Sequence, residues 1–133
     1  MTSKLIYLTY QTFPANTANS LQTITMLKYF SRSSYDVELI FPNRADNSSG
    51  DIEILQKHYD FKESYDVTLT KHNYPFRDYK TKVYFTKLRF HISHFLWSLN
   101  VVKRVTDDQK SDTLFFTRSD WVFYFLSKKL VFQ

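Results

Sequence analysis

Short runs of apolar residues alternate along this chain with longer segments in which apolar residues recur every three or four positions. Runs of the first kind predict β-strands, and segments of the second kind predict helices. Five strands are predicted: roughly residues 4–9, 37–41, 65–70 and 113–117, and a fifth that begins near Leu130, Val131 and Phe132. Because these strands alternate with helical segments, the pattern is typical of stacked β-α-β units around a parallel sheet.

Four helices are predicted between the five strands. The first has Asn19 and Gln22 at the spacing of a capping box. Its apolar residues recur every three positions and predict a buried stripe: Leu21, Ile24, Leu27 and Phe30. A short helix is expected over 51–59 and the longest within 79–106. In that longest segment apolar residues keep a three- or four-residue spacing: Val83, Leu88, Ile92, Phe95, Leu99 and Val102. A last helix is expected over 120–128, with Ser119 as its cap.

These elements predict a single α/β domain over residues 1–133, a Rossmann-like three-layer sandwich with a parallel sheet in the order 3-2-1-4-5. A chain of 133 residues suffices for one core and not for two. The predicted fifth strand stops at the last residue and would leave an unpaired sheet edge, which complete domains avoid. We therefore expect the chain to be the front part of a longer protein.

Composition removes several classes of site. Gly50 is the only glycine, which argues against glycine-rich phosphate loops. There is no cysteine, so disulfides, thiolate metal sites and cysteine nucleophiles are excluded. The apolar run after the first residues is too short for a signal peptide, and no window is long enough to span a membrane. A cytoplasmic location is expected.

The positive charge is concentrated in one segment. The whole chain carries +5, whereas residues 71–104 carry eight basic side chains and one acid, a net +7. Three interpretations stay open: a solvated helix face, a peripheral contact with the anionic inner face of a membrane, and nucleic-acid binding. Basic residues beside aromatic ones are typical of interfacial helices. No nucleic-acid motif supports the third interpretation. The membrane contact would use four residues: Lys80, Lys82, Lys87 and Arg89.

Candidate binding residues follow the first and fourth strands, because ligands of open α/β sheets bind at the carboxyl ends of the strands. The candidates are Pro14, Asn16, Thr17, Asn19, Ser20 and Arg118. A helix amino terminus favours an anion, so the first loop could contact a donor phosphate or an acceptor hydroxyl. The alternative is that Asn16, Thr17 and Asn19 only cap the helix. Arg118 could fork two hydrogen bonds to a phosphate or carboxylate, or make a structural ion pair with Asp120 or Asp112.

No catalytic residue, metal or cofactor is predicted. His91 and His94 are three residues apart on the longest helix, but no third ligand is nearby, and His58 and His72 stand at no motif spacing. No histidine has a sequence partner that would support general-base catalysis.

Residues 13–22, Met26, Phe30 and the second strand with Pro42 resemble the start of family-4-like retaining glycosyltransferases of the GT-B architecture. The sequence Phe-Thr-Arg-Ser at 116–119 is similar to the step that follows the fourth strand in that family. The chain departs from the many members that carry glycines in the first loop. Asparagine tolerates positive φ better than most residues, so the turn is still feasible.

The resemblance implies that this chain is the acceptor-side half of an enzyme that moves a sugar from a nucleotide-sugar to a glycan or lipid-linked acceptor. The donor-binding domain, with its two glutamates, would be a missing carboxy-terminal domain or a partner subunit. The isolated chain is then expected to be inactive. Two alternatives stay open: a separate subunit of a two-chain glycosyltransferase, and a non-enzymatic flavodoxin-like binding module.

Overall fold

The computed structural model describes residues 3–72, 86–107 and 113–131 of the chain. In chain order these residues form β1 (Lys4–Leu8), α1 (Ala18–Arg32), β2 (Asp36–Pro42), α2 (Ile52–Tyr59), β3 (Asp66–Thr70), α3 (Thr86–Asp107), β4 (Thr113–Thr117) and α4 (Asp120–Val131). Strands and helices alternate as the apolar pattern predicts, which confirms the α/β class.

The sheet is open and parallel, with the order β3-β2-β1-β4. This Rossmann-like arrangement confirms the first four positions of the predicted order. The predicted fifth strand is wrong, because Leu130 and Val131 lie in the last turn of α4 and Phe132 lies outside the described residues. Val122, Leu126 and Leu130 are four residues apart, and this spacing continues the helix instead of starting a strand.

Helices cover both faces of the sheet because the strands are apolar on both faces. Successive side chains of a strand point to opposite sides. Leu5 and Tyr7 of β1 belong to the core that α1 and α2 close. Ile6 and Leu8 belong to a second core, which α3 and α4 close. The result is the predicted three-layer sandwich.

Side-chain caps start three of the helices. Thr17 caps α1, since its Oγ1 accepts a hydrogen bond from Ser20 N at 3.2 Å; the predicted cap, Asn19, lies inside the first turn. Asp51 caps α2 by accepting from Glu53 N at 3.0 Å. Ser119 caps α4, as predicted, by accepting from Val122 N at 3.2 Å.

The buried face of α1 differs from the predicted stripe at its first position. Ile24 and Leu27 are buried and Phe30 is half-buried, whereas Leu21 is 53% exposed and Thr23 is buried in its place. A strict three-residue repeat turns about 60° around a helix at each step, so its two ends cannot share one face.

Candidate functional site

A cavity of about 620 Å³ opens where β1 and β2 end. The loop after β1 forms one wall and the loop after β2 forms the other, and His58 of α2 adds a side chain. We call this space the loop cavity. It lies at the carboxyl edge of the parallel sheet, where open α/β proteins bind their ligands.

Four of the six predicted binding residues line the loop cavity: Pro14, Asn16, Thr17 and Asn19. Asn16 and Asn19 are exposed, and each amide offers both donors and an acceptor to a ligand. Ser20 and Arg118 are not among the lining residues. The predicted loop therefore forms this wall of the cavity, whereas Ser20 and Arg118 are near the same edge without lining it.

Ser20 has a structural role instead. Its side chain is 1% exposed, and its Oγ lies 2.9 Å from the carbonyl oxygens of Ala15 and Thr17. Thr17 has a structural role as well, because its Oγ1 caps α1 while the residue also faces the cavity. These hydrogen bonds hold the end of the loop against the first turn of the helix.

Two aromatic residues fix the middle of the same loop. Phe13 is fully buried, and its ring centroid lies 5.0 Å from that of Phe41. The Tyr59 hydroxyl accepts a hydrogen bond from Ala15 N at 2.8 Å and donates one to Ala15 O at 2.9 Å. Because both backbone groups of Ala15 are held, this wall is pre-organised, which lowers the entropy cost of binding a ligand.

Arg44 is a cavity residue that sequence reasoning missed. Its guanidinium carbon lies 4.3 Å from the centroid of the Tyr10 ring, and its Nη1 donates to Tyr10 O at 2.5 Å. Arg44, Asp46 and Asn47 line the cavity together, opposite the first loop. The signal available in the sequence was position, since Arg44 stands two residues after the second strand.

Arg118 lies at the same sheet edge but contacts α1. Its Nη2 donates to Gln22 Oε1 at 2.7 Å, and its side chain is exposed. The predicted ion pair with Asp120 is absent, because neither residue belongs to an ion pair in the described part of the chain. Asp112, the other predicted partner, lies outside the described residues. Arg118 therefore joins the end of β4 to the start of α1.

A group of buried and half-buried side chains with polar groups lies beside the loop cavity. We call it the histidine cluster: Tyr10, His72, His94, Trp97 and Ser119. The Tyr10 hydroxyl is hydrogen-bonded to His72 Nε2 at 2.7 Å, and His94 Nε2 is hydrogen-bonded to the Ser119 hydroxyl. The Trp97 indole donates to Thr70 Oγ1 at 2.8 Å. Tyr10 also lines the loop cavity, so it is the boundary between the two regions.

Burial keeps both histidines of the cluster neutral. Loss of hydration lowers the pKa of His72 to about 4, and the nearby positive charge of Arg44 adds to this. Loss of hydration likewise lowers the pKa of His94 to about 4, with Arg44 as the next cause. The His94–Ser119 pair combines a base with a hydroxyl, but Ser119 is 4% exposed and caps α4. The pair is a structural contact, apart from the residues that line the cavity.

The predicted membrane residues fall into two groups. Lys87 and Arg89 are exposed in the first turns of α3, whereas Lys80 and Lys82 lie outside the described residues. Most of the apolar residues whose spacing predicted this helix are exposed in the structure, and of the described ones only Val102 is buried. Val83 lies outside the described residues. Large apolar side chains that are 36–67% exposed stand on α3 and α4: Leu88, Ile92, Phe95, Leu96, Leu99, Phe123 and Tyr124. None of the described helices has the length and apolar character needed to cross a membrane.

The described residues contain no group of three potential metal ligands. His94 is buried, whereas His91 lies on the exposed side of α3, so the two do not converge. No family model matches this chain, and no curated protein or solved structure matches it either.

Proposed function

We propose that this domain is the acceptor-side half of a glycosyltransferase that uses a nucleotide-sugar donor. The proposal joins the resemblance of residues 13–42 and 116–119 to one structural observation. That observation is the loop cavity, which lies at the carboxyl edge of the sheet and has Pro14, Asn16, Thr17 and Asn19 in its wall.

The chemistry of the cavity suits a polyhydroxylated ligand. Asn16, Asn19 and Asn47 supply amide donors and acceptors, which are the groups that hydrogen-bond sugar hydroxyls. Arg44 supplies a cationic group beside them, suited to a phosphate or carboxylate on the same ligand. The domain would contribute binding and orientation, and a missing domain or a partner subunit would bring the donor and the catalytic carboxylates.

Glycan binding tests the proposal directly. We expect the purified chain to bind a subset of immobilised glycans or lipid-linked oligosaccharides, to bind UDP- and GDP-sugars weakly, and to transfer no sugar. Asn16→Ala combined with Asn19→Ala should weaken glycan binding about tenfold, equivalent to about 1.4 kcal/mol. Asn100→Ala, an exposed amide on α3 away from the cavity lining, is the matched control.

Three results would contradict the proposal. Sugar transfer by the isolated chain would remove the half-enzyme assignment. Binding of mononucleotides with no glycan binding would favour the flavodoxin-like binding module. Equal loss of glycan binding in the Asn100→Ala control would place the site outside the loop cavity.

A second proposal concerns the membrane, and the exposed apolar side of α3 and α4 supports it. Lys87, Arg89, Lys103 and Lys128 stand on the same two helices, and apolar and basic side chains together suit an anionic bilayer surface. A lipid-linked acceptor would be met at such a surface.

Flotation with phosphatidylcholine vesicles, with and without phosphatidylglycerol, tests this second proposal. Lys87→Glu with Arg89→Glu should reduce flotation with the anionic vesicles. Lys57→Glu with Lys62→Glu changes the net charge equally at exposed positions outside α3 and α4, and should retain it. Equal flotation of the two double variants would refute a membrane-binding face on α3.

A further inference from the structure

Two charged side chains of the loop cavity differ in their exposure. Among the described residues that line it, Arg44 is the one lysine or arginine and Asp46 is the one acid. Arg44 is half-buried, whereas Asp46 is exposed. Solvent and salt screen an exposed charge more strongly than a partly buried one. Arg44 therefore has the larger electrostatic effect on a ligand in the cavity.

Tyr10 holds the Arg44 side chain in place. The guanidinium donates a hydrogen bond to the carbonyl oxygen of Tyr10 and lies over the Tyr10 ring, with its carbon 4.3 Å from the ring centroid. Tyr10 is itself 6% exposed, and its ring packs edge-on against those of His94 and Trp97, with centroids 4.6 Å and 5.5 Å away. The cation thus lies on a packed layer of rings, which lowers the entropy cost of binding an anion.

The histidines behind Tyr10 do not share this positive charge. Burial lowers the pKa of His72 and of His94 to about 4, and the charge of Arg44 is the next cause in each case. Both imidazoles are therefore neutral near pH 7. The histidine cluster thus supports the cation through packing and adds no second one.

We infer that the acceptor is an acidic glycan and that Arg44 binds a carboxylate on it, such as that of a uronic acid. This inference rests on the proposed function and names the class of acceptor. A guanidinium fork matches a planar carboxylate with two parallel hydrogen bonds. Arginine has five N–H donors, so it can bind a ligand in addition to its contacts within the chain. Asn16 and Asn19, in the other wall of the cavity, would bind hydroxyls of the same glycan.

The first loop favours a carboxylate over a phosphate. Phosphates at this edge of α/β folds are bound by N–H groups of a loop and of a helix amino terminus. Three such N–H groups already have partners within the chain: Ala15 N donates to the Tyr59 hydroxyl, Ser20 N to Thr17 Oγ1 and Leu21 N to Thr17 O. A phosphate monoester carries about −1.5 to −2 charges at pH 7. A uronate carries one, which a single arginine can balance.

Matched glycans test the inference with the intact chain. Uronate-containing glycans are compared with the same glycans after carbodiimide activation and borohydride reduction, which converts each carboxylate to a primary alcohol. We expect the wild type to bind the acidic member of a pair at least about tenfold more tightly, because hydrogen bonds to a charged group are stronger than those between neutral groups. Glycans with a sugar phosphate in place of the uronate form a third arm and should bind more weakly than the uronate.

Substitutions of Arg44 locate the carboxylate. Arg44→Gln should bind the acidic and the reduced glycans equally, and unchanged binding of the reduced glycan shows that this variant is folded. Arg44→Lys keeps the charge without the planar fork, so it should retain only part of the preference. Arg104→Gln removes an exposed arginine of α3, away from the cavity lining, and should keep the full preference.

The outcomes distinguish this inference from the proposed function. Equal binding of acidic and reduced glycans by the wild type would overturn the inference and leave the proposed function standing. Tighter binding of the phosphorylated glycans would overturn the choice of a carboxylate. A preference that Arg118→Gln removes and Arg44→Gln retains would place the anion at the end of β4 and overturn the inference. Binding of no glycan, acidic or neutral, would contradict the proposed function and the inference together.

Discussion

The carboxyl edge of this sheet has two halves that are built in opposite ways. The loop cavity, over β1 and β2, is open and polar, and its exposed amides are not needed for packing. The histidine cluster, toward β3 and β4, is closed, and its polar groups are paired with one another. Strand ends that are equivalent in topology thus border an open cavity in one half and a packed, hydrogen-bonded cluster in the other.

The largest effect should come from the closed half. Trp97 is 3% exposed, contacts Tyr10 with ring centroids 5.5 Å apart and donates to Thr70. Trp97→Ala should lower the free energy of unfolding by about 3–5 kcal/mol, because it removes a large buried ring and leaves a cavity. Chemical denaturation measures this. Leu96→Ala, at the neighbouring exposed position, should cost under about 1 kcal/mol. Similar losses in the two variants would contradict the role of Trp97 as a tightly packed residue of the closed half.

Acid should also weaken the closed half. His72 and His94 have pKa values lowered to about 4 in the folded protein, from an ordinary 6.5. The unfolded chain therefore binds more protons below pH 6.5, and the free energy of unfolding should fall as the pH drops from about 6.5 to 4. Each histidine adds a slope of at most about 1.4 kcal/mol per pH unit.

Urea unfolding at several pH values measures that slope. His72→Gln with His94→Gln should flatten it, whereas His91→Gln replaces an exposed histidine of α3 and should not. If the double variant keeps the wild-type slope, the buried histidines are not the groups that take up the protons.

A smaller loss of stability is expected when the hydrogen bonds that hold the loop of the open half are removed. Tyr59→Phe removes the hydroxyl that holds both backbone groups of Ala15. We expect a loss of about 1 kcal/mol of unfolding free energy, together with weaker glycan binding, because the loop wall is no longer pre-organised. Tyr29→Phe, at a residue that is 60% exposed, is the control for removing a tyrosine hydroxyl. Unchanged stability and glycan binding in Tyr59→Phe would show that the hydrogen bonds between Tyr59 and Ala15 contribute to neither property.

The smallest effect on stability should come from the cavity amides. Asn16→Ala with Asn19→Ala should change the free energy of unfolding by less than about 0.5 kcal/mol, since both side chains are exposed and neither caps α1. Thermal and urea unfolding measure it. A loss above about 1 kcal/mol would mean that these residues are structural, like Thr17 and Ser20, and would weaken the case for a binding role.

Local patterns explain which predictions were right. Four strands, four helices and the cap Ser119 follow from apolar periodicity and from a side chain that satisfies free N–H groups nearby in sequence. The location of residues 14–19 at the carboxyl edge of the sheet was predictable, because the loop that follows the first parallel strand starts at that edge. The false fifth strand arose because a run of three apolar residues fits a strand or a helix end equally well.

Tertiary structure decided the partners of each polar group. Arg44 faces Asn16 across the cavity only because β1 and β2 are neighbours, and His94 meets Ser119 only because α3 packs beside α4 over the same face. The same packing turned Ser20 inward and directed Arg118 to Gln22. By itself, the sequence determined the alternation of elements and which loops lie at the carboxyl edge of the sheet, since these depend on near neighbours in the chain. The sequence did not determine which half of that edge is accessible to solvent, because burial and long-range hydrogen bonds depend on residues that only the fold brings together.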